Sequence, residues 1–253
     1  MRVDKDVRLT QIGIDRIIRL SWLKKTAQYA LAGSQVHESK VALQDEIKDS
    51  FQYDIQIVRG SLDKTITILT KTWFIVPNHL IPLRNDGLKL ISNLPAVYHT
   101  PVHWGMLMAV YPFWGATATQ VGRLLKIQPS VTASQVQRRL REQYGERETV
   151  SRSAQRAMRS YVDWKVLSET ETKGVYTSGD IINVDEPHLV SWLIEAFLHS
   201  KSNGSANIHG LIKNPSLFPF RIKPTSAGLL MSVSPRLECM RHGLDEDLVM
   251  LRK

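Results

Sequence analysis

The side chains best suited to recognising a ligand lie in the stretch 148–164, ETVSRSAQRAMRSYVDW. Arg152, Arg156 and Arg159 fall at i, i+4 and i+7, so a helix here carries them on one stripe, with Gln155 beside it. Like charges at this spacing repel by a few tenths of a kcal/mol per pair. Among acidic residues, Glu148 stands near Arg152 and Asp163 near Arg159. A helix tolerates such a row more readily when phosphates neutralise it. Ser151, Ser153 and Ala154 are small, which leaves the first turn open to close approach.

Other chemistries have weaker support. His99 and His103 have the i, i+4 spacing of two zinc ligands on a helix, but Pro101 between them argues against a continuous helix and no glutamate follows His99. Both histidines are expected as satisfied polar groups beside aromatic residues. Asp45-Glu46-Ile47-Lys48 contains Glu-x-Lys, as in some nuclease sites, yet it falls on a predicted helix without a convincing upstream aspartate. Asp245, Glu246 and Asp247 are adjacent, so a helix points them in different directions, where they serve as first-turn charges. Cys239, the single cysteine, has no evident activating partner and excludes a disulfide framework. Phosphate-binding Gly-x-x-x-x-Gly-Lys and nucleophile-elbow Gly-x-Ser-x-Gly motifs are both missing. These residues point to a protein that is not an enzyme and uses no metal or cofactor.

The charge distribution agrees with a polyanionic partner. Net charge is +9, and residues 115–168 hold 10 basic against 4 acidic residues. Residues 1–100 hold 14 and 10, and residues 169–253 hold 9 and 10. A concentrated basic segment in an otherwise balanced chain is an electrostatic footprint for nucleic acid. No Lys, Arg, Asp or Glu occurs between Lys89 and Arg123. The apolar run inside that gap, residues 104–118, is shorter than the roughly 20 residues of a membrane span and contains Pro112, so it reads as a buried core helix. The first residues, MRVDKDVRLTQ, show no apolar stretch of signal-peptide length, and a cytoplasmic protein is expected.

The elements that must position the arginines follow from periodicity. The first 31 residues read as one long helix ending before Gly33, and Ser34 to Phe51 as a second. Further helices are predicted over 61–73, 84–94 and 102–114. Thr117 or Thr119 starts the next, which Pro129-Ser130-Val131 breaks. Thr132-x-x-Gln135 is a capping box for a helix running to Tyr144, and Gly145 is its stop. Thr149 caps the arginine helix, whose Val150, Ala154, Ala157, Met158 and Tyr161 form a buried stripe. Trp164–Ser168 and Val175–Thr177 flank a polar loop and predict a hairpin. Glu186 to His199 reads as an amphipathic helix, and Lys201 to Asn207 as a linker. Short strands near 217–222 and 229–233 and a final helix from about 244 complete the expectation. Six tryptophans imply extensive packing, internal or against a partner.

Helix, helix, basic helix, then hairpin is the order in which residues 117–178 resemble the winged helix-turn-helix superfamily. The resemblance covers about 60 residues and rests on element order and amphipathic pattern. It implies a mainly α, multi-helical protein with a central winged helix-turn-helix module and a small β-hairpin wing. The expected division is an N-terminal helical region (1–100), a winged-helix domain with flanking helices (101–200) and a C-terminal α/β segment (208–253). Carried over from such domains, the helix 150–163 enters the major groove of duplex DNA. Ser151, Arg152, Gln155 and Arg156 then face base edges, with Arg159 nearer phosphate. Arg138, Arg139 and Lys173 are the implied phosphate contacts. Glu169 and Glu171 depart from the pattern, since a carboxylate on the wing repels phosphate. The expected function is a non-enzymatic DNA-binding protein, a regulator or an accessory subunit of a DNA-processing assembly. The alternatives are a structural adaptor that docks protein partners through the same module, and a divergent metal-dependent nuclease. No heptad repeat or dimer helix indicates an oligomeric state.

Overall fold

Where apolar residues recur at the helical period, helices form, and the protein is mainly α. The computed structural model describes residues 6–51, 55–242 and 246–252. Its N-terminal half is built from α1 (Leu20–Leu31), α2 (Val36–Ile47), α3 (Ile55–Trp73), α4 (Ile81–Asn93), α5 (His99–Val110) and α6 (Pro112–Leu125). After α6 come β1 (Ser130–Thr132), α7 (Ala133–Tyr144), α8 (Glu148–Asp163), β2 (Leu167–Glu169), β3 (Val175–Ser178) and β4 (Ile182–Val184). The chain closes with α9 (Pro187–Leu198), β5 (Ser205–Asn207), α10 (Ile208–Ile212), β6 (Phe220–Ile222), α11 (Ala227–Val233), β7 (Leu237–His242) and β8 (Glu246–Leu251).

The charge-free stretch is the middle of the molecule. Residues 100–110 of α5 are buried on every side, packed against α1, α3, α4, α6 and α9. The helix predicted over Glu186 to His199 is α9, but Leu189 to Leu198 are buried throughout, so it is a core element rather than an amphipathic one. One apolar cluster runs through α1, α3, α5, α6, α8, α9 and the C-terminal strands. Among the described residues no helix is long and apolar enough to cross a membrane. Five of the six tryptophans are buried, so their packing is internal; Trp22 is half-buried. Trp104, Trp114, Tyr161 and Trp164 form an aromatic knot, with centroids 4.6–5.9 Å apart, that joins α8 to α5 and α6.

The N-terminal expectation is corrected. Among the described residues 6–31 only Leu20–Leu31 is α-helical; a 3-10 turn (Val7–Leu9) and a non-helical strap over residues 10–19 precede it. Gly13 adopts φ +62°, and a Cβ there would stand 2.9 Å from the Tyr111 ring. The strap is held by tertiary bonds in place of helical ones. Ile18 N–H donates to Ser160 Oγ (2.9 Å), Leu20 N–H donates to Asp163 Oδ2 (3.0 Å), and Trp164 Nε1–H donates to the Ile18 carbonyl (2.9 Å). The strap buries Ile14 and Ile18, whereas Ile12, Ile17 and Leu20, whose spacing suggests a helix, are only half-buried.

Prolines move two further boundaries. Pro101 sits in the first turn of α5, where no backbone donor is needed, so His99 and His103 share one helix after all. Pro112 cannot extend α5 and becomes the first residue of α6, which therefore starts before Thr117. At the C-terminus, 227–233 is a helix, capped by Ser226 accepting from Leu229 N–H (3.2 Å), where a strand was expected. Residues 246–251 are a strand where a helix was expected: β8 pairs with β7 and β5, and Ser205–Asn207 belongs to that sheet and not to a linker. The strand near 217–222 is β6, which pairs in parallel with β4.

His103 is fully buried, edge-on to Trp73 (5.4 Å), and neither ring nitrogen meets a hydrogen-bond partner. It is therefore not the satisfied group expected. His99, by contrast, reaches the Leu94 carbonyl (3.0 Å). Burial, with His99 and Lys24 adding repulsion, pushes the His103 pKa down to about 3. The unfolded chain binds a proton at ordinary histidine values while the folded chain refuses it, so stability falls as pH drops from about 6.5 towards 3. His103→Leu should raise the denaturation midpoint at neutral pH, because a buried unpaired N–H costs about 1–3 kcal/mol. The gain should be larger at pH 5. A variant no more stable at pH 5 than at pH 7, relative to wild type, would count against this reading.

Candidate nucleic-acid interface

The arginine stripe is positioned by a helix–strand–helix–helix–hairpin unit spanning residues 112–178. Within it β1, β3 and β2 form an antiparallel sheet in that order, with Val131 opposite Tyr176 and Ser168 opposite Thr177. The predicted hairpin is present; β1 is an addition, formed because the Pro-Ser-Val break is extended and buries Val131. The capping box is formed: Thr132 Oγ1 accepts from Gln135 N–H (3.2 Å) and Gln135 Oε1 accepts from Thr132 N–H (2.9 Å). Gly145 ends α7 at φ +94°, a conformation that favours glycine. The next helix begins earlier than Thr149: Arg147 is its N-cap, without a side-chain bond.

Val150, Ala154, Ala157, Met158 and Tyr161 are buried, as their spacing predicts. Tyr161 O–H donates to the Trp114 carbonyl (2.7 Å), which fixes the rotation of α8 about its axis. That rotation leaves Arg152, Gln155 and Arg159 exposed on one stripe. Arg152 meets Glu148 at 3.4 Å, but both side chains are more than half exposed, so the pair contributes little and yields readily to a phosphate. Ser151 is turned towards α7, where its Oγ accepts from Arg141 (3.4 Å) and its carbonyl from Gln137 (3.3 Å). Arg156 is half-buried at the opposite edge and donates to the Asp15 carbonyl of the strap. Burial and the neighbouring Arg16 pull its pKa below the usual arginine value. Ser153 and Ala154 are buried, so of the three small residues only Ser151 leaves room near the surface.

Arg138 is exposed and Arg139 half-buried on α7, and Lys173 is exposed in the turn between β2 and β3. Glu169 and Glu171 are exposed on the same hairpin. Two cations absent from the sequence-based set lie beside α8: Arg16 of the strap and Lys64 of α3, which line one cleft with Arg152 and Arg156. No local pattern could have found them, because strap and α3 meet α8 only through the fold.

The other groups settle on the surface or in the core. Glu46 bonds Lys25 (3.1 Å) and Tyr29 O–H (2.7 Å), and Lys48 pairs with Asp45 (3.2 Å). Asp245 lies outside the described residues, and Asp247 stands opposite Arg241 in the β7–β8 pair. Among the described residues no three of His, Cys, Asp or Glu come together to hold a metal. Burial, with Asp247 nearby, raises the Cys239 thiol pKa, which disfavours the reactive thiolate.

Comparison with known proteins leaves the fold and the site to stand on their own geometry: no family model, no curated protein and no solved structure matches the chain.

Proposed function

We propose that this chain is a duplex-DNA-binding protein without catalytic activity, a regulator or an accessory subunit of a DNA-processing assembly. In this reading residues 112–178 are a winged helix-turn-helix module. The observation that carries it is the exposed stripe Arg152, Gln155 and Arg159 on α8, within a unit ordered α6–β1–α7–α8–β2–β3 and closed by the β1–β3–β2 sheet. Arg152 and Gln155 face base edges in the major groove. Arg159 stands nearer phosphate, and Arg138, Arg139 and Lys173 hold phosphates and set register. Arg156 and Ser151 border the stripe, where each also serves the fold.

The test is an electrophoretic shift of the purified chain on random duplex across a salt series. Affinity should fall steeply with salt, because counterion release drives association. Salt-insensitive association, or none, would remove the reading. The exposed carboxylates of Glu169 and Glu171 favour a second reading at the wing, in which that hairpin docks a partner protein. A partner that co-purifies equally with wild type and with the Arg152→Ala/Arg159→Ala variant would select it.

A further inference from the structure

Beside the open stripe of α8 lies a trough that the module alone does not make. The strap crosses between α8 and α3, and a cleft of about 610 Å³ opens under it, lined by Arg16, Lys64, Arg152 and Arg156. Past Gly13 and Asp15 it continues into a second cleft of about 550 Å³ that follows α3. Lys64, Thr67, Ile68 and Lys71 line that part, at i, i+3, i+4 and i+7, so one face of α3 forms its bank. Cations therefore stand on both sides of the trough and along its length.

Inside the chain Arg152 meets Glu148 in an exposed pair (3.4 Å), while the lysines of α3 are left open. Asp15 is the carboxylate lining both clefts, and it is engaged by Arg16 (2.9 Å). Among the described residues neither Lys64 nor Lys71 pairs with a carboxylate, although both are exposed. Arg16 has its Nε buried with no hydrogen-bond partner. Tyr111, which lines the α3 part and is 7% exposed, also buries its hydroxyl without a partner. Clustered like charges along one concave channel repel each other, and an anion that enters relieves that repulsion. Thr149, exposed at the rim, adds a hydroxyl of the kind that bonds phosphate oxygens.

We propose that this trough is a phosphodiester track: it holds the sugar–phosphate backbone of one DNA strand and extends the footprint of α8 across the strap onto α3. The inference rests on the duplex-binding reading and adds a second, non-modular part to it. The spacing fits. Seven residues advance about 10 Å along a helix, so Lys64 and Lys71 stand far enough apart to meet two different phosphates of one strand. Its lining offers no exposed aromatic face on which an unpaired base could stack, which favours backbone capture over single-strand recognition.

Fluorescence anisotropy on a short random duplex, over a salt series, tests it with the full chain. Lys64→Gln/Lys71→Gln removes two exposed charges from α3 and touches no core residue. The plot of log affinity against log salt should become shallower by about 2, roughly one for each phosphate that is no longer neutralised. Affinity at low salt should drop on the order of tenfold or more, with the melting temperature unchanged. Lys64→Arg/Lys71→Arg should keep the wild-type slope. If the glutamine variant binds with wild-type affinity and slope while Arg152→Ala/Arg159→Ala fails to bind, the track is wrong and the duplex-binding reading survives. If wild type itself does not bind, both fall.

Discussion

Arg152→Ala/Gln155→Ala/Arg159→Ala is expected to abolish measurable duplex binding while leaving the melting temperature within a degree or two of wild type. All three side chains are exposed, and none belongs to the buried stripe that fastens α8 to the aromatic knot. A bidentate bond to a base is worth about 1–3 kcal/mol, so removing two or three such groups lowers affinity by roughly 30-fold at the least. Arg156 stands apart from these three. Its guanidinium holds the Asp15 carbonyl, and removing it would loosen the strap as well as any grip on DNA. Arg156→Ala alone should therefore lower both stability and affinity. Wild-type affinity in the triple variant would reject α8 as the reading helix.

The largest effect on stability is expected at Arg236. Glu195 is 1% exposed within α9 and receives Arg236 at Nε (2.7 Å) and Nη2 (3.1 Å), while Asp86 of α4 holds the same guanidinium at 2.7 Å. Burial pushes the Glu195 pKa up, but His199 and Arg236 together outweigh it, and the carboxyl titrates below its ordinary value. A depressed carboxyl contributes stability that is present above its unfolded pKa and lost as pH falls through the folded one. Arg236→Met leaves that carboxylate in the core with only His199, 3.7 Å away, and the Ser234 hydroxyl at 3.5 Å. Breaking a buried pair in this way costs about 3–5 kcal/mol. In a chain of this length that is a loss of about 10 °C in melting temperature. The pH dependence should change sign: burial then raises the Glu195 pKa, so the deficit relative to wild type shrinks as pH falls and the carboxyl takes a proton. Glu195→Gln in the same chain should recover a large part of the loss. A deficit that is constant between pH 5 and pH 8 would show that Glu195 does not stay charged and buried.

Much of the site was legible from residues close together in sequence. Thr132 and Gln135 announce a capping box because their bonds close within three residues, and they do so in the structure. Val150 to Tyr161 announce the buried stripe of α8 through the helical period. Gly145 marks a turn that needs positive φ. The elements that failed are those whose partners are remote. The strap reads as helix because Leu9, Ile12, Ile17 and Leu20 fit that period, yet the residues it buries are Ile14 and Ile18, and Ser160, 142 residues away, takes the Ile18 N–H. The final segment looked helical because a short apolar run is ambiguous, and its strand form depends on β7 and on Ser205–Asn207.

What this sequence determines by itself is therefore local: where helices start and stop, which side of α8 is apolar, and that a row of arginines occupies another side. Tertiary structure alone decides which of those arginines remain open, because the strap covers the flank at Arg156 and leaves Arg152, Gln155 and Arg159 exposed. It alone also brings Lys64 and Arg16 to the same channel. The physical reason is range. Caps and helical periods are written within four residues, whereas the strap, the trough and the C-terminal sheet are held by segments far apart in the chain, whose pairing no short stretch encodes.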